Sequence, residues 1–192
     1  MAKTIKGWLD FLESYRPFDE SEALNCRQLV DFLRSSDNPF DRSNLLAHCV
    51  ADALIVNPVR SHALMLVHGV SGNWMSPGGH ADGDADLCAG ALREAEEETG
   101  LSQAILMPLR GGRLWDVNVG LVPERISRYG REPSHLHFDI CFAFEAEDSF
   151  PLKISDESDD LAWLPVQDAC DRTIPPHRRR FAKLQAGWED VA

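Results

Sequence analysis

The chain has 192 residues, 44% of them hydrophobic, which suits one domain with a real core and room for an appendage. Its formal net charge of −12 argues against a nucleic-acid duplex as the main ligand, because a phosphate backbone needs a basic surface. A small phosphorylated ligand stays open, since bound cations change the local field. The cysteines (Cys26, Cys49, Cys88, Cys141 and Cys170) are odd in number, widely spaced and without a CxxC pair. They read as reduced thiols of a cytoplasmic protein and argue against a zinc site.

The opening MAKTIKGWLDFLESYRP has positive charge but no apolar stretch, so no signal peptide is expected. Residues 4–36 carry two apolar stripes at helical spacing, separated by Pro17, and SSDNPFDRSN (35–44) reads as a linker. We expect residues 1–40 to form a helical appendage to a domain spanning 41–192, packed on that domain or on a second copy. Strands are predicted at 47–56 and 63–68, with the turn NPVRSH between them. The most apolar run, 45–56, is interrupted by His48 and Asp52 and is shorter than the ~20 residues of a membrane span. Residues 73–78 read as a loop entering a helix at 87–99. Strands follow at 105–109 and 113–122, then a polar loop at 123–134, an alternating strand at 135–145, a short strand at 161–164 and helices at 166–171 and 176–188. This order predicts an α/β fold with a mixed sheet between helices.

The helix at 87–99 holds the most informative residues. Asp86 is a natural N-cap, Leu87, Ala91 and Ala95 share one face, and Gly100 suits the left-handed position after the last turn. Glu97 and Glu98 then fall in the last turn, where the helix dipole disfavours negative charge by roughly 0.3–1 kcal/mol each. Glu94 and Glu98 are a like-charge i,i+4 pair costing roughly 0.2–0.5 kcal/mol, which Arg93, four residues before Glu97, offsets in part. Clustered carboxylates of this kind suit Mg²⁺ or Mn²⁺. Without the spacing described next, a solvated acidic helix face would explain them equally well.

Residues 79–101, GHADGDADLCAGALREAEEETGL, resemble the Nudix box, G-x5-E-x7-R-E-U-x-E-E-x-G-U with U aliphatic. Gly79, Arg93, Glu94, Glu97, Glu98, Gly100 and Leu101 match, and Ala95 fills the first U with a small residue. At about one in 15 per residue, the six fixed identities coincide by chance on the order of once in 10⁷ windows. The first Glu of the box is replaced by Ala85, with Asp84 and Asp86 beside it. The element order resembles the Nudix fold over about 45–170: an α/β/α sandwich with a mixed central sheet, here with the N-terminal helices added. The strand beginning at His48 looks like that of a bacterial Nudix subgroup with a His-x-Thr-Ala-Ser strand; His48 is kept, and Cys49, Val50, Ala51 and Asp52 follow it.

The resemblance implies Mg²⁺- or Mn²⁺-assisted attack of water on a diphosphate joined to another moiety. By the box match Glu94 and Glu98 are the primary metal ligands, and Glu97 is either a third ligand or the group that positions and deprotonates the water. The Gly78 carbonyl is a further ligand, and Arg93 orients the glutamates. His135, His137 and Asp139 alternate on one strand face, but roughly 13 Å from first to last keeps a single ion from holding all three. His137 and Asp139, with His80 beside the glycines, are candidates for contact with substrate. So are Arg125 and Arg128 in the 123–134 loop, which also holds Tyr129 and Arg131. His48 and His68 read as packed strand residues, Trp74 and Trp115 as core, and the run His177, Arg178, Arg179, Arg180 and Lys183 as a solvated basic face. The expected partner is a small phosphorylated substrate, with neither duplex nor membrane, and a homodimer is left open. The alternative is a non-catalytic Nudix domain that binds or senses a nucleotide metabolite, which Ala85 favours. A diphosphate isomerase would want a cysteine and an acid that have no recognisable setting here. The sequence names no substrate: at the place where ADP-ribose hydrolases often carry a proline stand Asp116 and Val117, and the Leu-Leu-Thr-x-Arg element of coenzyme A hydrolases is absent.

Overall fold

The computed structural model describes residues 3–127 and 130–188. Two helices open the chain, α1 (Ile5–Ser14) and α2 (Glu20–Ser35), capped by the side chains of Thr4 and Asp19. The sheet follows with β1 (Ala47–Val56), β2 (His62–His68), β3 (Trp74–Met75) and β4 (Gly78–His80). Helix α3 (Leu87–Thr99) leads to β5 (Met107–Pro108) and β6 (Leu114–Val122), then the hairpin β7 (Arg125–Ser127) and β8 (Gly130–Glu132). Strands β9 (His135–Glu145) and β10 (Ser158–Pro165) and helices α4 (Val166–Arg172) and α5 (Arg178–Gln185) complete it.

β1 is buried along its whole length, as expected of a strand with apolar residues on both faces. It runs parallel to β9 from Ala47 opposite Leu136 to Val56 opposite Glu145, and antiparallel to β2 and β4. β10 extends the sheet beyond β2, while β5 and β6 pair with the far side of β9. Alternation then fills two cores. Cys49, Ala51, Ala53 and Ile55 face α1, α2 and α3, whereas Leu54 and Val56 face α4 and α5. The result is the predicted α/β/α sandwich around a mixed sheet.

Helices α1 and α2 share the core of the sheet. Trp8, 1% exposed, packs with Leu12, Leu29 and Leu33, and its indole N–H donates to the Ala85 carbonyl at 2.9 Å. Trp8→Ala should cost about 3–5 kcal/mol by the cavity it leaves, measured by urea unfolding; a loss below ~1 kcal/mol would show that α1 is not part of the cooperative unit.

Several segments differ from the sequence reading. Within 73–78 lie β3 and the first residue of β4, short strands recruited by backbone pairing with β2 and β1 rather than by any apolar pattern. The polar segment 123–134 contains the β7–β8 hairpin, with Arg125 opposite Glu132. Of the strand expected at 105–109 only Met107–Pro108 forms; Ile105 ends one 3-10 segment and Leu109 begins another. The basic run near the C-terminus is largely buried: Arg180 and Lys183 are fully buried and His177 is 2% exposed. Their partners come from distant strands and helices, which helical periodicity alone does not reveal. Lys183 donates to Glu22 at 2.7 Å and to Asp116 at 2.8 Å, Arg179 to Asp116 at 2.7 Å, and Arg180 to Asp52.

Candidate active site

Helix α3 begins and ends as its sequence dictates. The Asp86 side chain accepts from the Ala89 N–H, and Gly100 has φ of 73°, where an added Cβ would lie 2.7 Å from Lys153 Cβ. Leu87, Ala91 and Ala95 are buried against the sheet, and a Cβ on Gly90 would lie 3.5 Å from Ala51 Cβ. Small residues therefore let α3 approach β1 closely, which accounts for Ala95 at an aliphatic position of the box.

That approach sets the glutamates against β4. The Glu98 carboxylate accepts from the Gly78 N–H at 2.8 Å. The Glu94 carboxylate fills the space above Gly79, where a Cβ would lie 2.5 Å from its Oε2. Arg93 lies behind them, donating to the His80 carbonyl at 2.9 Å and pairing with Glu94 at 3.0 Å and Glu97 at 3.9 Å. The Glu94 side chain is 14% exposed and that of Glu97 58%. Burial pushes the Glu94 carboxyl up to about 7, against the pull of Arg93 and with help from Glu97 and Asp82. Burial pushes Glu98 up to about 8, against its Gly78 hydrogen bond and with help from Glu94, Asp52 and Glu157. Half-buried carboxylates, each raised further by acidic neighbours, are the donor set a hard dication stabilises. The residues present fit Mg²⁺ or Mn²⁺.

Two expected results follow from this geometry. Gly79→Ala should displace Glu94 and weaken Mg²⁺ or Mn²⁺ binding about 10–100-fold with the fold intact; calorimetric titration showing unchanged affinity would refute the contact. The second concerns pH. With folded values near 7 and 8 against ordinary values of 4.5, Glu94 and Glu98 hold protons more tightly in the folded state. Their contribution to stability is full below pH ~4.5 and is lost as pH rises through ~7–8. Melts in EDTA should therefore show a falling Tm across that window, and saturating Mg²⁺ should flatten it. A pH-independent Tm in EDTA would contradict the shifts.

The remaining predicted residues divide. His80 and His137 lie together, ring centroids 5.4 Å apart, and burial holds both well below the usual histidine range, at about 3. Asp139 points elsewhere: it accepts from Asn118 at 2.9 Å and lies 3.5 Å from His177. Arg125 pairs with Glu132 at 2.6 Å, and its charge is felt at His80 and His137. Arg131 pairs with Glu124 at 2.8 Å, and Arg128 and Tyr129 lie outside the described residues. Trp115 is core, with its N–H on the Arg180 carbonyl, and Trp74 lies beneath the Arg172 guanidinium. Sequence reasoning missed Asp52 and Glu157, whose charges bear on Glu98; nothing in local spacing ties either to α3.

A profile of the NUDIX domain matches residues 47–185, which include the glutamate cluster, the glycines it rests on and the whole sheet. The chain belongs to the NUDIX family. Membership carries pyrophosphohydrolase chemistry in its general form. Among solved structures, a C. elegans Ap4A hydrolase binary complex is similar at 16% identity, with a TM-score of 0.58 and coverage of 73% of this chain and 96% of that one. The E. coli dihydroneopterin triphosphate pyrophosphohydrolase is similar at 15% identity, TM-score 0.59, covering 72% and 95%. The M. smegmatis Nudix hydrolase RenU is similar at 18% identity, TM-score 0.52, covering 76% and 88%. At these identities the likeness concerns the NUDIX fold alone. Comparison with curated proteins found no match. No helix among the described residues is long and apolar enough to cross a membrane.

Proposed function

We propose that this NUDIX protein is a metal-dependent hydrolase that cleaves a diphosphate linkage in a nucleoside diphosphate-X type substrate by attack of water on phosphorus. The observation that carries the reading is the gathering of the half-buried Glu94 and Glu98 carboxylates over Gly78 and Gly79, where they repel each other without a cation. A bound Mg²⁺ or Mn²⁺ supplies neutralisation of the diphosphate charge and a bound water of lowered pKa. Glu94 and Glu98 hold the ion, with the Gly78 carbonyl as a further oxygen. Glu97, the most exposed of the three, is a third ligand or the group that orients and deprotonates the water. Arg93 positions Glu94 and Glu97 through its fork of contacts. Arg125, Arg128, His80, His137 and Asp139 are assigned to the substrate side, and the five free cysteines suit a cytoplasmic location.

Phosphate release, coupled to a phosphatase, tests this across nucleoside triphosphates, nucleotide sugars, dinucleotides, pterin triphosphates and non-nucleotide diphosphates, with and without Mg²⁺ or Mn²⁺. Turnover of one class, present only with metal, is expected. Silence across the panel from folded, metal-binding protein would favour the second reading, a domain that binds a nucleotide metabolite without cleaving it. The observation behind that reading is Ala85 at the first glutamate of the box, its carbonyl held by Trp8.

A further inference from the structure

We infer that His48, His135 and His137 form a transition-metal site of the zinc class, distinct from the glutamate cluster. The parallel pairing of β1 and β9 sets His48 opposite His137, and His135 lies two residues earlier on the same strand face. One ring nitrogen from each of the three lies within 4.8 Å of the other two. The Nε2 atoms of His135 and His137 are 3.1 Å apart. Two ligands about 2.0 Å from a tetrahedral zinc would be about 3.3 Å apart.

The tautomers are set for coordination. His48 Nδ1 lies 3.1 Å from the Asn44 carbonyl and His135 Nδ1 lies 2.8 Å from the Pro133 carbonyl. A carbonyl only accepts, so both Nδ1 atoms carry the proton and both Nε2 lone pairs are bare. Backbone carbonyls fixing the far nitrogen are the usual support of a metal-bound histidine. His48 is 3% exposed, and its Nε2 has no hydrogen-bond partner. A buried, bare lone pair aimed at two more imidazoles is costly unless something accepts it. Without metal, His137 donates from Nε2 to His135; coordination shifts that proton to Nδ1 of the same ring, with no net release. Burial favours neutral rings at His48 and His137, the ligating form.

Three imidazoles and no carboxylate select zinc-class ions over Mg²⁺, and water completes the tetrahedron. Cysteine spacing argued against zinc, and the length of the strand kept one ion from holding His135, His137 and Asp139 together. Asp139 turns to Asn118 and His177, and His48 from β1 takes its place. The two metal sites lie on opposite faces: Ala51 and Gly79 meet α3, whereas His48 alternates with Cys49 onto the other face.

The test strips the full chain with chelator and titrates it with Zn²⁺ and with Co²⁺. One equivalent should bind, with a tetrahedral Co²⁺ spectrum. His48→Ala and His135→Ala should each weaken zinc about 100-fold or more, and Glu98→Gln should not. Long-range ¹H–¹⁵N spectra of the wild-type protein need no variant: zinc should shift Nε2 of His48, His135 and His137 while Nδ1 of His48 and His135 stays protonated. Unshifted Nε2 signals in folded wild-type protein, or zinc retained by the histidine variants and lost in Glu98→Gln, would overturn the assignment.

Discussion

Glu98→Gln should lower turnover about 10²–10⁴-fold, the loss expected when a catalytic metal loses several kcal/mol of transition-state stabilisation. The substitution keeps the size of the side chain and one oxygen, so the fold has no reason to fail. It removes a carboxyl that burial and the charges of Glu94, Asp52 and Glu157 push up to about 8. In metal-free protein at neutral pH the variant should therefore be as stable as the wild type or more so, while binding Mg²⁺ more weakly. A group kept only for structure would show the reverse, with lower Tm and intact turnover. Turnover within about threefold of wild type, with metal affinity unchanged, would remove Glu98 from the mechanism.

Lys183→Met should cost about 3–5 kcal/mol, the penalty for breaking a buried ion pair from one side. Lys183 is fully buried and donates to Glu22, Asp116 and the Trp115 carbonyl. Methionine fills similar space but leaves the Glu22 charge without its cation. Arg179 still holds Asp116, which keeps the loss toward the lower end of that range. For a chain of this size each kcal/mol moves Tm by about 2–4 °C, so a drop of roughly 6–20 °C is expected. Glu22→Gln combined with Lys183→Met should recover much of it, because no charge is then stranded. A single variant that melts within about 2 °C of wild type would mean that water reaches this cluster.

These two residues mark the limits of what could be read without the structure. Glu98 was legible because its fellow carboxylates lie on the same helix: a cap at Asp86 and a stop at Gly100 place Glu94, Glu97 and Glu98 together, whereas Gly78, Asp52 and Glu157 reach it only through the fold. β1 and β9 were legible for a related reason, since their alternation and burial follow from local composition. Lys183 was not. Its helix shows a run of basic residues that resembles a solvated face, and only the fold brings Glu22 and Asp116 to it. The pairing of β7 with β8 and the short β3 and β4 were missed because backbone pairing, not side-chain pattern, defines them. The histidine cluster was half visible. His135 and His137 stood out on one strand, but the register between β1 and β9 supplies His48, and no spacing along the chain encodes that register.

Hydrolysis in ¹⁸O-labelled water, using the best diphosphate of the panel and Mg²⁺, tests the central claim most directly. One labelled oxygen is expected in one phosphate-bearing product, at a rate that vanishes with EDTA and falls with Glu98→Gln. Cleavage that proceeds equally without metal, or products without label, would contradict water activated at the glutamate cluster.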